Sequence, residues 1–269
     1  MAEGQLFELE LFGEGVERRY RKMRPEVEEM PWGTLDTSTL APSAVIAARK
    51  AWTGAAYQEH RTGIACAATL RALIEARAPL DLVAVATRFP LDEMVHVELC
   101  ARMAMELGGG TEIVHDPDAM IVDAEKELTP LMRAADLVVR VFCVGEALSI
   151  PLLRGTRNAA QHPLPKAVLA RIVKDEAAHG IFGFTFLDWA VPELSEADRI
   201  YLGGRADRVI QVIHRQWEKI AARPSRSSGG DALAWMQTDE YLALADKAMR
   251  ENVVRPLLAR GIPVAAHPA

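Results

Sequence analysis

The sequence predicts an all-α fold: a four-helix bundle with one long crossover and additional C-terminal helices. Helix-favouring residues dominate, since Ala, Leu, Glu and Arg recur at three-to-four spacing while strand patterns are scarce. Four long helical segments are joined by a short, a long and a short link, which is the connectivity of two antiparallel hairpins and a crossover. Each hairpin also carries one Glu-x-x-His pair inside an apolar run.

The first hairpin follows a polar N-terminal arm at residues 1–41. Its first helix is predicted at 42–77, between "STLAPS" and "RAP", and its second at 80–107, where "GGG" ends it. Pro90 removes a backbone hydrogen bond inside the second helix and should kink or restart it. The simplest interpretation is that two helices meet there. The alternative is a distorted segment that re-aims Glu93.

The second hairpin follows a long connection at 108–130, which is predicted to run the length of the bundle. Its helices are predicted at 130–158 and 164–190, with "QHPLP" between them. The remaining sequence predicts two C-terminal helices packed on the bundle, at about 195–222 and 238–260. The predicted domain organisation is an arm at 1–41, a bundle at 42–190 and C-terminal helices within 191–269.

Composition and charge exclude several classes of protein. Half of the 269 residues are hydrophobic and a quarter are charged, as in an ordinary globular protein. The net charge of −6 and the lack of a strongly basic face argue against a nucleic-acid partner. No apolar run can span a bilayer and no signal-peptide pattern is present, so we expect a cytoplasmic protein without a membrane partner. Cys66, Cys100 and Cys143 are isolated and are predicted to be small buried residues.

Two short stretches share an unusual pattern of acids and histidines. "LDEMVHV" contains Glu93 and His96, and "KDEAAHG" contains Glu176 and His179. Residues three apart on a helix project from one face. That face is otherwise apolar in both stretches, so each carboxylate and imidazole pair is predicted to lie in the core.

The other helix of each hairpin offers one carboxylate at a matching height. Glu59 lies about 18 residues before the first turn and Glu93 about 14 residues after it, or roughly 27 and 21 Å along the helix axes. Glu146 and Glu176 lie about 17 and 13 residues from the second turn. Glu146 sits in the apolar run "VVRVFCVGEALSIPLL". Burying it there without a partner would cost roughly several kcal/mol, so a partner inside the bundle is predicted.

The assembled set has the composition of a site for two metal ions. Four carboxylates and two imidazoles suit two divalent first-row metals, and the four negative charges balance two M²⁺ ions. The predicted metal ligands are Glu59, Glu93, His96, Glu146, Glu176 and His179.

In motif order, spacing and crossover, residues 42–190 resemble the ferritin-like diiron carboxylate proteins. These carry a Glu on each of two helices and Glu-x-x-His on each of the other two. The resemblance implies that Glu93 and Glu176 bridge the metals, that each histidine binds one metal, and that Glu59 and Glu146 are terminal ligands.

The resemblance also assigns a role to the aspartate that precedes each Glu-x-x-His pair. Asp92 and Asp175 would accept hydrogen bonds from the far N–H groups of the ligand histidines and so fix their tautomers. The alternative for each aspartate is a solvated carboxylate on the helix surface.

The activity that the resemblance implies is that of a non-haem diiron oxidoreductase, which activates O₂ to oxidise or hydroxylate a small organic molecule. We expect two iron ions as cofactors, with Mn or an Fe/Mn pair as alternatives. The expected partners are O₂, a small organic substrate and, for an oxygenase, an electron donor; a homodimer is left open. The alternative functions are a ferritin-like iron-binding ferroxidase without an organic substrate and a dimanganese catalase.

Two members of that superfamily are disfavoured by single residues. Tyr57 is the nearest tyrosine in sequence, but it lies about 200° around the helix from Glu59, which disfavours a tyrosine-radical subunit of ribonucleotide reductase. Ile172 stands where the aryl-amine N-oxygenases carry an additional histidine.

Other polar residues near the motifs are predicted to be bystanders. His60 is turned about 100° from the ligand before it, and Glu98 is predicted to be solvated. His115 and Asp116 are predicted to form a turn in the crossover. Small residues cluster near the ligands and Phe182 and Phe186 share the face of His179, so any cavity there is predicted to be an apolar pocket with aromatic walls.

Overall fold

The fold is almost entirely helical. The computed structural model of the chain describes residues 4–7, 10–114, 122–222 and 233–267. Within these residues the strands are β1 (Gly4–Leu6) and β2 (Glu112–Val114), which pair antiparallel with Gln5 opposite Ile113. The predicted all-α class is confirmed. The small sheet between the N-terminal arm and the crossover is an addition that the sequence pattern did not predict.

The helices follow the predicted order. They are α1 (Glu14–Met23), α2 (Pro42–Glu75), α3 (Leu80–Ala86), α4 (Phe89–Glu106), α5 (Pro130–Val138), α6 (Ala147–Ala159), α7 (Pro163–Ala190), α8 (Glu196–Ala221), α9 (Thr238–Ala248) and α10 (Arg255–Ala259). A π-helical segment, Val139–Glu146, joins α5 to α6, and a second, Met249–Val254, joins α9 to α10. A 3₁₀ turn, Val191–Glu193, follows α7.

Two helix pairs frame the core. α2 packs along α4, and α7 packs along α6 and the first π-helical segment. Contacts of α2 with α5 and of α4 with α7 bring the two pairs together. Among the described residues, no helix has both the length and the apolar character that crossing a bilayer requires. Residues 115–121 of the crossover, with the turn predicted at His115 and Asp116, lie outside the described residues.

Pro90 marks a helix start, so the simpler interpretation is confirmed. α3 ends at Ala86 and α4 begins at Phe89, which puts Pro90 in the first turn of α4. N–H groups in a first turn have no partner within the helix, so a proline there removes no hydrogen bond. The helix predicted at 80–107 is therefore two helices.

The N-terminal arm is more structured than its polar sequence predicts. It contains α1, and Arg24 just after α1 is buried with its Nε 2.6 Å from Glu98 Oε2. Glu98 is only 2 % exposed, so the prediction that it is solvated is wrong. Arg171 of α7 also donates through Nη1 to the Pro25 carbonyl oxygen at 2.9 Å. These contacts fix the arm against α4 and α7.

The C-terminal helices extend the same core. Leu202 and Ile210 of α8 are fully buried in the apolar cluster that contains Phe142. Arg205 of α8 also lies with its Nε 2.7 Å from Oδ1 of the buried Asp136 on α5. α8 therefore packs against α5 and the first π-helical segment through both apolar contacts and this ion pair.

Candidate metal centre

The structure brings all six predicted ligands to one place. They are Glu59 from α2, Glu93 and His96 from α4, Glu146 from the end of the first π-helical segment, and Glu176 and His179 from α7. Their ligand atoms form two groups, and within each group all atoms lie within 4.8 Å of one another. The first group is Glu59, Glu93, His96 and Glu176, and the second is Glu93, Glu146, Glu176 and His179. Glu93 and Glu176 therefore belong to both.

The two shared carboxylates lie between the two histidines. His96 Nδ1 is 3.7 Å from Glu93 Oε2 and 3.3 Å from Glu176 Oε1. His179 Nδ1 is 3.1 Å from Glu93 Oε1 and 3.3 Å from Glu176 Oε2. Each carboxylate turns one oxygen toward each histidine, which is the orientation that bridging two metal positions requires.

The Nε2 atom of each histidine points away from the cluster and faces one of the two predicted aspartates. In each case the histidine and the aspartate lie on different helices, α4 and α7. His96 Nε2 lies 3.5 Å from Asp175 Oδ2, and His179 Nε2 lies 3.7 Å from Asp92 Oδ2. The side chains of Asp92 and Asp175 are 5 % and 6 % exposed, so the solvated alternative is wrong. Arg171 Nε donates to Asp175 at 2.7 Å and holds that carboxylate in position.

The π-helical segment delivers Glu146 to the centre. Its i→i+5 hydrogen bonds change the phase of the residues that follow, and such segments are frequent at functional sites. Pro151 in α6 has no N–H to bond back to the preceding turn, while Ser149 Oγ donates to the Glu146 carbonyl oxygen at 3.0 Å. The helix predicted at 130–158 is present as α5, the π-helical segment and α6. The periodicity of the sequence did not indicate that its middle part is π-helical.

Burial and neighbouring charges shift the carboxylates in opposite directions. Burial, and next the charge of Glu93, raise the pKa of Glu59 well above its usual range. Burial and Glu176 raise the pKa of Glu146 in the same way. Burial alone would also raise the pKa of Glu93, but the two facing histidines outweigh it and lower that pKa to about 2. Glu93, one of the two shared carboxylates, therefore keeps its charge.

The histidines are shifted toward their charged forms. Burial alone would lower the pKa of His96, but Asp175 and the shared glutamates outweigh it and raise that pKa well above its usual range. Burial opposes the same shift at His179, where Asp92 and Glu93 raise the pKa to about 9. Without a metal, protons supply the positive charge that the cluster needs.

Many of these buried atoms have no hydrogen-bond partner within the described part of the chain. They are both carboxylate oxygens of Glu93, Oε2 of Glu176 and both ring nitrogens of His96 and His179. Buried polar atoms without partners are rare in proteins. A divalent cation is a partner that carboxylate oxygen and imidazole nitrogen share, and Fe, Mn and Zn all accept this donor set. The residues present therefore fit metal ions.

Aromatic rings close one side of the cluster. The Phe89 ring lies 4.3 Å from the His179 ring between centroids, and 5.2 and 5.1 Å from the rings of Phe142 and Phe182. All three phenylalanines are buried in the core. They surround His179 with apolar contacts and keep water from it, which is a packing role. The predicted pocket with walls of Phe182 and Phe186 is not the cavity that the structure has beside the ligands.

That cavity has a volume of about 410 Å³ and reaches Glu59, Glu146 and Glu176. Its walls come from α2, the first π-helical segment, α6 and α8. They include Arg61, Thr62, Arg140, Ser149, Leu153 and Val209. Sequence reasoning missed Arg61 and Arg140 because neither belongs to a motif. Spacing gave no signal for them either, because Arg61 lies two residues from Glu59 and Arg140 six residues from Glu146, and neither offset returns to the same face of an α-helix.

The remaining candidates behave as bystanders. His60 belongs to neither ligand group, and its ring packs 6.2 Å from that of Phe7 between centroids. Cys66, Cys100 and Cys143 are buried free thiols, as the sequence predicts.

No known family model, curated protein or solved structure matches this chain. Fold alone does not determine function, which depends on the residues of the site.

Proposed function

We propose that this chain is a ferritin-like diiron oxidoreductase, a four-helix bundle whose metal centre activates O₂ to oxidise or hydroxylate a small organic substrate. The observation that carries the proposal is the pair of ligand groups that share Glu93 and Glu176. A single metal ion would not need two histidines facing opposite oxygens of the same two carboxylates. Two ions, each with one histidine and one further glutamate, use every one of these groups.

The proposal gives each ligand a role. Glu93 and Glu176 would contribute to both metal positions, Glu59 and His96 would complete the first, and Glu146 and His179 would complete the second. When bound, two ferrous ions supply electrons to O₂ together. The four carboxylates would offset the charge of two dications.

Asp92 and Asp175 orient the ligand histidines. Each faces the ring nitrogen that points away from the cluster and would hold the N–H on that side, which would leave Nδ1 free to bind a metal ion. Arg171 holds Asp175 in place, and although burial alone would raise the pKa of Asp175, His96 and Arg171 outweigh it and lower that pKa.

The cavity favours an organic substrate over iron storage. About 410 Å³ lies within the range of small-molecule pockets, roughly 300–1,000 Å³. Val209 of α8 forms part of its wall, so the C-terminal region helps to enclose it. Iron storage requires only a path for ions. It does not require a cavity of this size beside Glu59 and Glu146.

Metal analysis is the first test of the proposal. Protein loaded with Fe²⁺ under anaerobic conditions should bind close to two ions per chain, because there are two ligand groups. The ferrous protein should then consume dissolved O₂. Saturation at one ion or fewer would contradict the dinuclear site, and peroxide disproportionation by the Mn protein without O₂ consumption by the Fe protein would favour a catalase.

A further inference from the structure

The cavity beside the ligands contains a guanidinium that the protein leaves largely unused. Arg61 of α2 is half-buried in the cavity wall. Its Nη1 donates to Gln58 Oε1 at 2.9 Å, but its Nε is buried without a hydrogen-bond partner. In the described part of the chain, no carboxylate forms an ion pair with it. A charged donor withdrawn from water is costly unless an acceptor reaches it.

Arg140, on another wall of the same cavity, shows the contrast. Its Nη2 donates to Asp136 Oδ2 at 2.7 Å and to the Asp123 carbonyl oxygen at 3.0 Å. The charge of Arg140 is therefore balanced within the protein. Arg61 is the arginine of this cavity with charge and donors left for a ligand.

We infer that Arg61 binds the carboxylate of the substrate, and that this protein acts on small organic acids. A guanidinium presents a planar fork of donors that matches the two oxygens of a carboxylate. The inference rests on the proposed function, because Glu59, Glu146 and Glu176 line the same cavity and would repel an acid unless metal ions offset their charge.

Arg61 acts as a specificity and positioning residue. Arg61 and Glu59 are both residues of α2 that border the cavity. An acid held at Arg61 therefore keeps its remaining atoms in the space that Glu59 and Glu146 border. The volume of about 410 Å³ restricts that acid to a small molecule.

The test measures binding without turnover. Zn²⁺-loaded protein is used, because Zn²⁺ accepts carboxylate and histidine ligands and has no redox chemistry. Calorimetry compares benzoate and octanoate with their uncharged primary amides. At least one acid is expected to bind about tenfold or more tightly than its amide, since hydrogen bonds to charged groups are the strong ones. Arg61→Gln should remove that preference, and Arg61→Lys should restore part of it.

Lys50→Gln is the matched control, because Lys50 is an exposed cation on the same helix. It should keep the preference for the acid, and all variants should bind the same amount of Zn²⁺. An acid preference that persists in Arg61→Gln, or its absence from the native chain, would overturn the inference. O₂ consumption by the Fe-loaded native protein is measured separately. If no O₂ is consumed, the oxidoreductase proposal is contradicted, but the acid-binding measurement on the Zn²⁺-loaded protein still tests the role of Arg61.

Discussion

At the scale of single residues, Glu146 has the fewest alternative explanations. It is 5 % exposed in an apolar helix, and burial raises its pKa well above the usual range. The nearest arginine in sequence, Arg140, pairs with Asp136, with 2.7 Å between Nη2 and Oδ2. Arg140 therefore does not balance the charge of Glu146, whereas a metal ion bound to the cluster would.

Glu146→Ala should change stability in opposite directions with and without metal. In the metal-free protein the substitution removes a carboxylate that is costly to bury next to Glu176, so the variant should be as stable as the native chain or more stable. With Fe²⁺ bound anaerobically the order should reverse, because one metal loses a ligand. Thermal unfolding in both states measures this, with the exposed Glu127→Ala as the control. Equal destabilisation in both states would exclude Glu146 from the site.

Residue spacing predicted the six site positions because helix geometry is local. Glu93 and His96 must share a face wherever the helix packs, and the height of Glu59 follows from the rise per residue. The buried ion pair of Glu98 with Arg24 could not be predicted in this way, because it depends on where the N-terminal arm lies. The same holds for Arg61, whose role depends on a cavity formed by several helices.

At the scale of elements, the approach of α7 to the first π-helical segment positions His179 and Glu146. Gly183 lies at the contact, where an added Cβ would be 2.8 Å from Cys143 Sγ and 2.8 Å from Phe142 Cβ. Contacts this short leave no room for a methyl group. The glycine is therefore required by close packing, one turn beyond His179.

Gly183→Ala should push the two elements apart. We expect a loss of roughly 1–3 kcal/mol in the free energy of unfolding, as for overpacked cores, together with weaker metal binding. Urea denaturation and competition with a chromophoric chelator measure the two effects. Gly204→Ala in α8 is the control, since no atom lies within 4 Å of its added Cβ, and it should be neutral or slightly stabilising. Similar behaviour of the two variants would contradict the packing argument.

The sequence predicted the helices but not how one of them is wound. Hydrophobic periodicity places a helix at 130–158, and the structure has one from Pro130 to Ala159 through α5, the π-helical segment and α6. A change to i→i+5 bonding shifts the phase by one residue, and an apolar run such as "VVRVFCV" is hydrophobic in either phase. Packing against α7 and α8 therefore determines that this segment is π-helical, and both of those helices are distant from it in sequence.

At the scale of the whole molecule, the centre joins the two helix pairs, so its charge affects the stability of the fold. Four helical elements contribute acids that would repel one another if all were ionised. In the metal-free protein, protons on the histidines and on Glu59 and Glu146 reduce that repulsion. Bound metal ions would replace those protons, so metal binding and folding would be linked.

The metal-free protein should therefore lose stability as the pH rises from about 6.5 to 9. His179 has a pKa of about 9 in the folded chain, above the ordinary value of 6.5. Its contribution to stability is complete below pH 6.5 and is lost as the pH rises through 9. The raised pKa values of Glu59 and Glu146 act in the same direction, because the folded chain holds protons that the unfolded chain releases.

Thermal unfolding between pH 6 and 9.5 measures this dependence. The metal-loaded protein should show a much flatter profile, since its ligands are already deprotonated. Asp92→Asn is the informative variant, because Asp92 raises the pKa of His179. Without the Asp92 carboxylate, the loss of stability between pH 6.5 and 9 should be smaller and should occur at lower pH. A metal-free profile that is flat, or that rises with pH, would mean that protons do not balance the cluster, and the four carboxylates would then need another source of positive charge.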